Sequence, residues 1–223
     1  MQLLNVVTAR SIWLFDIAEL NPRGKALFPD LFDWLKDVYN FQKVPTSLED
    51  VDATKALVFA NGQYQAREEV FVHVELKMYN DGLIANTVSS TRETDRFLDA
   101  VLVSAAAEFN LNFKPEMVRK KIYLSEMNVY SPKYLSDPRL EKFASKISEF
   151  ASDNGPVEFD FAGVAFWPLR SRDVTIGAFH IERKANTNRE EHKYFSRAPL
   201  HTDDHLGLLT QFEDELMVLP SHD

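Results

Sequence analysis

The densest cluster of side chains that could do chemistry is the segment His201-Thr-Asp-Asp-His205. Two histidines four residues apart on a helix can share one metal ion, and Asp203 or Asp204 could add an oxygen ligand. Such a set would suit a metal-dependent hydrolase or oxygenase. The competing interpretation is a helix start, with Thr202 as N-cap and the two acids in the first turn. We favour the helix start, because His201 then lies outside the helix and the two imidazoles do not share a face.

A second set of candidate acid–base residues lies on two predicted strands. His73 and Glu75 are two residues apart, as are His180 and Glu182, so each pair shares one face of its strand. Such pairs could act as general acid and base. They equally fit the solvent-facing side of an antiparallel sheet, where polar residues recur with period two, and we favour that interpretation.

A locally basic stretch, 170–197, interrupts a chain whose net charge is -9. Its cations and rings could neutralise phosphates and stack on the bases of a single strand or a nucleotide. The candidate binding residues are Arg170, Arg172, Arg183, Lys184, Arg189, Lys193, Tyr194, Phe195 and Arg197. The negative charge of the whole chain argues against nucleic acid as a partner. We therefore favour a solvated loop that pairs with acids of the same chain.

The composition removes several classes of chemistry. The 223 residues include no Cys, which excludes disulfides, thiolate metal sites and a cysteine nucleophile. The sequence contains no P-loop, no G-x-G-x-x-G and no G-x-S-x-G motif, and we expect no cofactor. The first residues lack a basic region before their apolar stretch, which is not the pattern of a signal peptide. We expect a cytoplasmic protein without a membrane partner.

Hydrophobic periodicity predicts the elements that must position these residues. The predicted strands are 11–20, 55–60, 70–79, 83–88, 118–130, 157–167 and 173–182, and the helices cover 28–39, 90–109, 138–151 and the segment from 202 onward. Asn61-Gly62 is typical of a hairpin turn, and 183–197 is predicted to be a surface loop. In the helix 138–151 an apolar stripe that includes Phe143 and Phe150 is expected to be buried.

This order of elements predicts an α+β fold, with a largely antiparallel sheet of about six strands and amphipathic helices packed on it. We expect one compact domain over 1–223, with a division into two coupled lobes near 131–137 as a variant of that arrangement. No fixed-period repeat is visible.

The absence of a local catalytic motif favours a non-catalytic interaction or accessory protein over an enzyme. It would bind a protein partner or associate with itself as a homo-oligomer, as an acidic inhibitor or an immunity-type protein does. Two alternatives stay open. One is a metal-dependent enzyme that uses His201, Asp203, Asp204 and His205, and the other is a protein that binds nucleic acid or a nucleotide through 170–197.

Overall fold

The computed structural model describes residues 1–24, 27, 29–45, 56–151, 157–169 and 177–218. It confirms the α+β class, with a sheet of eight strands rather than about six. The strands are β1 (Gln2–Leu14), β2 (Leu57–Arg67), β3 (Val70–Tyr79), β4 (Gly82–Thr87), β5 (Lys120–Tyr130), β6 (Gly163–Phe166), β7 (Phe179–Arg183) and β8 (Lys193–Ala198). The helices are α1 (Asp30–Tyr39), α2 (Thr91–Phe109), α3 (Pro138–Ala151) and α4 (Thr202–Val218). None of the helices in these described ranges is both long enough and apolar enough to span a membrane.

The strand order in the sheet is β2-β3-β4-β1-β5-β8-β7-β6. The pairs β1–β4, β2–β3, β3–β4, β6–β7 and β7–β8 are antiparallel. Most sequence neighbours are therefore also neighbours in the sheet, as short antiparallel connections favour.

The chain divides into two compact units. The N-terminal unit comprises Val6–Ser125 and Leu200–Thr202, and the C-terminal unit comprises Met1–Asn5, Glu126–Pro199 and Asp203–Asp223. A single domain with a lobe division near 131–137 stays a prediction.

One order of elements occurs twice along the chain. The first half runs β1, α1, β2, β3, β4, α2, and the second half runs β5, α3, β6, β7, β8, α4. In each half the last three strands form an antiparallel meander. Its central strand pairs with both neighbours: β3 pairs with β2 and β4, and β7 pairs with β6 and β8. Each unit therefore has the means to bury its own sheet face under its own helices.

Each unit has its own hydrophobic core. That of the N-terminal unit is rich in rings, with Phe32 and Phe59 edge to face at 5.1 Å and Tyr39 and Phe97 edge to face at 5.2 Å. The core of the C-terminal unit consists of Met127, Val129, Leu135, Ile181, Tyr194 and Leu209. Edge-to-face ring pairs add to the stabilisation from apolar burial.

The hairpin predicted at Asn61-Gly62 is wrong. Strand β2 continues through both residues, and its register against β3 shifts between Phe59 and Gly62, which marks a β-bulge. Asn61 adopts a φ of 56°, and a Cβ atom at Gly62 would clash with the ring of Phe41. The positive φ and the missing side chain thus serve a close ring–backbone approach, and not a chain reversal.

The surface loop predicted over 183–197 is also wrong, because it contains strand β8. Tyr194, Ser196 and Ala198 are buried, and the residues between them are half-buried or exposed. The sequence hides this alternation, since one of the inward positions is the polar Ser196 and one of the outward positions is the apolar Phe195.

Helix α3 forms where predicted, but its apolar stripe is not buried. Phe143 is 62% exposed and Phe150 is 83% exposed, and among the helix residues only Ala144 is buried. Apolar periodicity predicts the helix itself, but it does not say whether another element covers the stripe.

Candidate functional site

The sheet of the N-terminal unit has one face under helices and one open face. Ala9, Ser11 and Trp13 of β1 are buried, whereas Arg10 and Ile12 between them are half-buried. The buried side faces α2, because the Ser11 hydroxyl lies 2.7 Å from that of Thr94 and Trp13 Nε1 donates to Asp95 Oδ1 at 2.8 Å. We call the opposite side of the sheet in each unit its open face.

A hydrogen-bonded row of polar side chains crosses three strands on the open face of the N-terminal unit. Arg10 Nε donates to Asn86 Oδ1 at 2.6 Å, and Asn86 Nδ2 donates to Glu75 Oε1 at 2.6 Å. Lys77 Nζ lies 3.2 Å from the same carboxylate oxygen. Arg10, Asn86 and Glu75 are direct cross-strand partners, so strand register alone aligns them. These contacts hold the side chains of Arg10 and Lys77 in defined orientations on the open face.

An exposed ring continues this open face. Phe71 of β3 is 60% exposed, and its cross-strand partner is Gln65 of β2. Two residues further along β3, the exposed His73 pairs with Gln63. The ring therefore stands beside two amide side chains, which can each donate and accept hydrogen bonds.

The C-terminal unit has an open face of similar composition. Along β8, Tyr194 and Ser196 are buried, and by strand alternation Lys193, Phe195 and Arg197 point to the opposite side. Arg197 Nε lies 3.3 Å from Glu126 Oε1. On β7, His180 Nε2 lies 3.4 Å from Glu182 Oε2, and these two residues pair across the strands with Arg197 and Phe195.

The predicted basic stretch is thus divided by the structure. Lys193, Phe195 and Arg197 share the open face, whereas Tyr194 is buried and its hydroxyl accepts a hydrogen bond from the Leu135 amide at 2.9 Å. Lys184 is half-buried directly after β7. Arg170 and Arg172 lie outside the described residues.

Arg183 and Arg189 belong to a separate polar cluster around Tyr134. The Tyr134 hydroxyl donates to Asp160 at 2.8 Å, and the same carboxylate forms an ion pair with Arg183. The guanidinium of Arg189 lies 4.1 Å over the Tyr134 ring. Burial and the hydrogen bond to Asp160 raise the pKa of Tyr134. Both arginines are engaged with partners inside the unit, which fits a structural role.

The described structure does not assemble the predicted metal set. Asp203 and Asp204 are exposed at the start of α4, and the two histidines have different partners. Nδ1 of His201 lies 3.2 Å from the Thr91 hydroxyl, whereas Nε2 of His205 lies 2.8 Å from that of Ser196. Within the described ranges no three His, Asp or Glu side chains cluster as metal ligands would. Metal binding by this set stays a prediction that these contacts do not support.

The buried pair Ser196–His205 resembles a nucleophile and its base, but its hydrogen bonds run the wrong way. The Ser196 hydroxyl donates its proton to the carbonyl of His180 at 2.7 Å. Ser196 must therefore accept from His205 Nε2, which makes His205 the donor in its neutral form. Burial lowers the pKa of His205 to about 4. The pair stabilises the contact between β8 and α4, and it does not activate a serine.

The first residues of α2 and α4 cap each other. The Thr91 amide donates to Thr202 Oγ1 at 3.0 Å, and the Thr202 amide donates to Thr91 Oγ1 at 3.0 Å. Both side chains are buried. Thr202 was predicted to cap its own helix, and its hydroxyl instead accepts from the amide of Thr91. Beside them, the ring of His201 lies 3.6 Å from that of Tyr123, measured between centroids.

We expect Thr91→Val to lower the free energy of unfolding by about 2 kcal/mol, because it leaves the buried Thr202 amide without an acceptor. Thr91→Ser is the matched control, since it keeps the hydroxyl and should recover most of the loss. Urea unfolding of the three proteins measures the difference. No loss in the valine variant, which keeps the methyl group and lacks only the hydroxyl, would show that the mutual cap does not stabilise the fold.

Sequence reasoning missed the residues of the N-terminal open face as a set. The alternation over 70–79 was visible, and with it the outward position of Glu75. The first strand, however, was predicted over 11–20 and observed as Gln2–Leu14, so Arg10 fell outside it. The row that joins Arg10 to Asn86 depends on the pairing of two strands about 75 residues apart, for which a single sequence has no local signal.

Comparisons with known proteins find a structural likeness. No family model matches the chain, and no curated protein matches it. Among solved structures the chain is similar to TBP (TATA-box binding protein) of Methanococcus jannaschii, with a TM-score of 0.45 and 10% identity over 97% of each chain.

We withdraw the expectation of an accessory protein that binds a protein partner or itself, with nucleic acid disfavoured. Its physical basis was the net charge of -9, which averages over the whole surface. A ligand instead meets the local charges of one face, and these can differ in sign from the average.

Proposed function

We propose that the protein binds nucleic acid on the open faces of its sheet, with single strands as the preferred form. The observation that carries the proposal is a surface pattern that occurs in both units. In each unit a phenylalanine shares the open face with two cations, each held in place by a neighbouring polar side chain. The residues are Phe71, Arg10 and Lys77 in the N-terminal unit, and Phe195, Lys193 and Arg197 in the C-terminal unit.

The rings supply the first part of the binding energy. A base that stacks on an aromatic side chain contributes about 1–3 kcal/mol, whatever its identity. Sheets with ring side chains on a face free of helices are a recurrent platform for unstacked bases. In a duplex the bases stack on each other, so the rings favour a single strand.

The cations supply the second part. Arg10 is hydrogen-bonded to a neutral amide, and the positive charge of Arg197 is partly offset by Glu126 at 3.3 Å. Exposed ion pairs of this kind contribute at most about 1 kcal/mol, so a phosphate can compete with the carboxylate. Phosphate binding releases counterions, which makes the affinity fall steeply with salt. An acidic protein can therefore still bind nucleic acid through exposed cations and rings that share one face of its sheet.

The cytoplasmic location expected from the sequence belongs to the same proposal. It is supported by the absence of Cys, which fits a compartment where disulfides do not form.

The proposal is tested by a salt titration of binding to a fluorescent single-stranded oligonucleotide of mixed sequence. For the native protein, we expect log K to fall linearly with log salt concentration. Arg197→Gln should reduce the slope by about 0.7, the value for one phosphate contact on a single strand, and weaken binding to all sequences alike. Absence of binding to single and double strands at low salt would overturn the proposal.

Glu126→Gln provides a control of opposite sign at the same site. It removes the carboxylate that neutralises Arg197 but keeps a side chain of equal size, so the affinity should rise about threefold. An unchanged or reduced affinity in this variant would argue that Arg197 does not face the ligand.

A further inference from the structure

The N-terminal unit contains an apolar cavity that the proposed nucleic-acid surface does not use. It lies between α1, α2, strands β3 and β4, and the short 3-10 helix Ile17–Leu20. Its walls are the helix-covered side of the sheet and the inner sides of both helices. The cavity is therefore on the opposite side of the sheet from the open face.

The walls consist of aliphatic side chains. Leu20, Leu35, Leu83, Val101, Leu102 and Ala105 line the interior and are each at most 8% exposed. Half-buried residues, Leu31 and Asn21 among them, form the rim. A charged or strongly polar group inside would lose its hydration without gaining hydrogen bonds from these walls. The lining thus selects for an apolar occupant.

The cavity has a volume of about 140 Å³. Protein interiors are otherwise close-packed, and voids much larger than one water molecule are few. A dry apolar cavity of roughly 150 Å³ holds a molecule such as benzene or xenon, because water inside it would lack hydrogen-bonding partners. The volume therefore fits one ring or a short aliphatic chain.

We propose that this cavity is a binding site for a small, uncharged, apolar molecule of about six to eight carbon atoms. The half-buried rim provides the route of entry. Since the occupant contacts both helices and the sheet, its binding stabilises the folded N-terminal unit. The inference is independent of the proposed nucleic-acid function, because the two surfaces share no residue.

The test measures thermal unfolding of the full chain with benzene as the probe and benzoate as a charged control of similar size. We expect benzene at about ten times its Kd to raise Tm by about 3 °C, because a ligand that binds only the folded state stabilises it by mass action. Benzoate should leave Tm unchanged. No rise with benzene up to its solubility limit, or an equal rise with benzoate, would overturn the proposal.

Two variants of α2 locate the site. Ala105→Leu adds three carbon atoms at a buried wall position and should abolish the effect of benzene on Tm, whereas Ala107→Leu changes an exposed position and should preserve it. Should Ala105→Leu fail to fold, methyl NMR of the native protein decides the point. Ring-current shifts confined to the Leu83, Val101 and Leu102 methyl groups support the site, and shifts elsewhere contradict it.

Discussion

Lowering the pH from 7 to 4 is expected to reduce the free energy of unfolding by about 3 kcal/mol through His205 alone. His205 is fully buried against Ser196 and Phe179, and burial lowers its pKa from 6.5 to about 4. Each pH unit between these two values contributes about 1.4 kcal/mol.

The sign of this change in the free energy of unfolding depends on whether the folded or the unfolded chain binds the proton. Between pH 6.5 and 4 the unfolded chain protonates His205, whereas the folded chain holds it neutral. Its contribution to stability is therefore complete above pH 6.5 and is lost progressively as the pH falls toward 4. Protonation would also place a charge beside the apolar ring of Phe179. We expect the C-terminal unit to be the acid-sensitive part of the protein.

Urea unfolding between pH 4 and 8 measures this contribution. His205→Gln keeps a hydrogen-bond donor but does not titrate, so its stability curve should be flatter than the native curve by about 3 kcal/mol over this range. Other groups titrate identically in both proteins and cancel in the difference. His73→Gln is the matched control, because it makes the same substitution at an exposed position. Parallel curves for the native and His205→Gln proteins would contradict the prediction.

The second large effect is expected for Phe71→Ala, which should weaken binding to a single-stranded oligonucleotide about 30-fold, corresponding to about 2 kcal/mol. The ring of Phe71 is 60% exposed on the open face, beside Gln65. Its removal takes away a stacking surface without opening a cavity, so the stability of the protein should change little.

Phe143→Ala is the matched control, because this phenylalanine is 62% exposed but lies on helix α3 and not on a strand. Fluorescence anisotropy at one low salt concentration compares the three proteins. We expect native affinity for Phe143→Ala. Equal losses of affinity in both variants would show that exposed rings bind the oligonucleotide non-specifically. No loss of affinity in Phe71→Ala would show that the open face of the N-terminal unit is not part of the binding site.

The sequence alone determined those elements whose signals are local. Helix α1 follows Pro29 and keeps the predicted apolar spacing, and α2 begins after Ser90, whose hydroxyl accepts from the Glu93 amide at 3.3 Å. Strand β3 was predicted over its full observed range from strict alternation. Spacing, capping and alternation act over three to ten residues, so they can be read without knowing the fold.

Features that depend on pairing could be recognised only in the tertiary structure. The Asn61-Gly62 dipeptide is a turn by local rules, but the ring of Phe41 makes it a bulge. Strand β8 has a polar residue at an inward position because His205 of α4 supplies a partner for Ser196. Contacts between distant segments decide both cases.

The same division holds for the functional residues. The absence of Cys and of a P-loop motif excluded thiol and P-loop chemistry. The charge pattern of the sequence identified a basic stretch at 170–197, but it did not show which of its side chains share a surface. The structure places Arg197 on an open face, places Arg189 over the Tyr134 ring, and separates His201 from His205. The residue types were present in the sequence, but strand register and helix packing decided which of them face one ligand, because those are set by hydrophobic contacts between segments far apart in the chain.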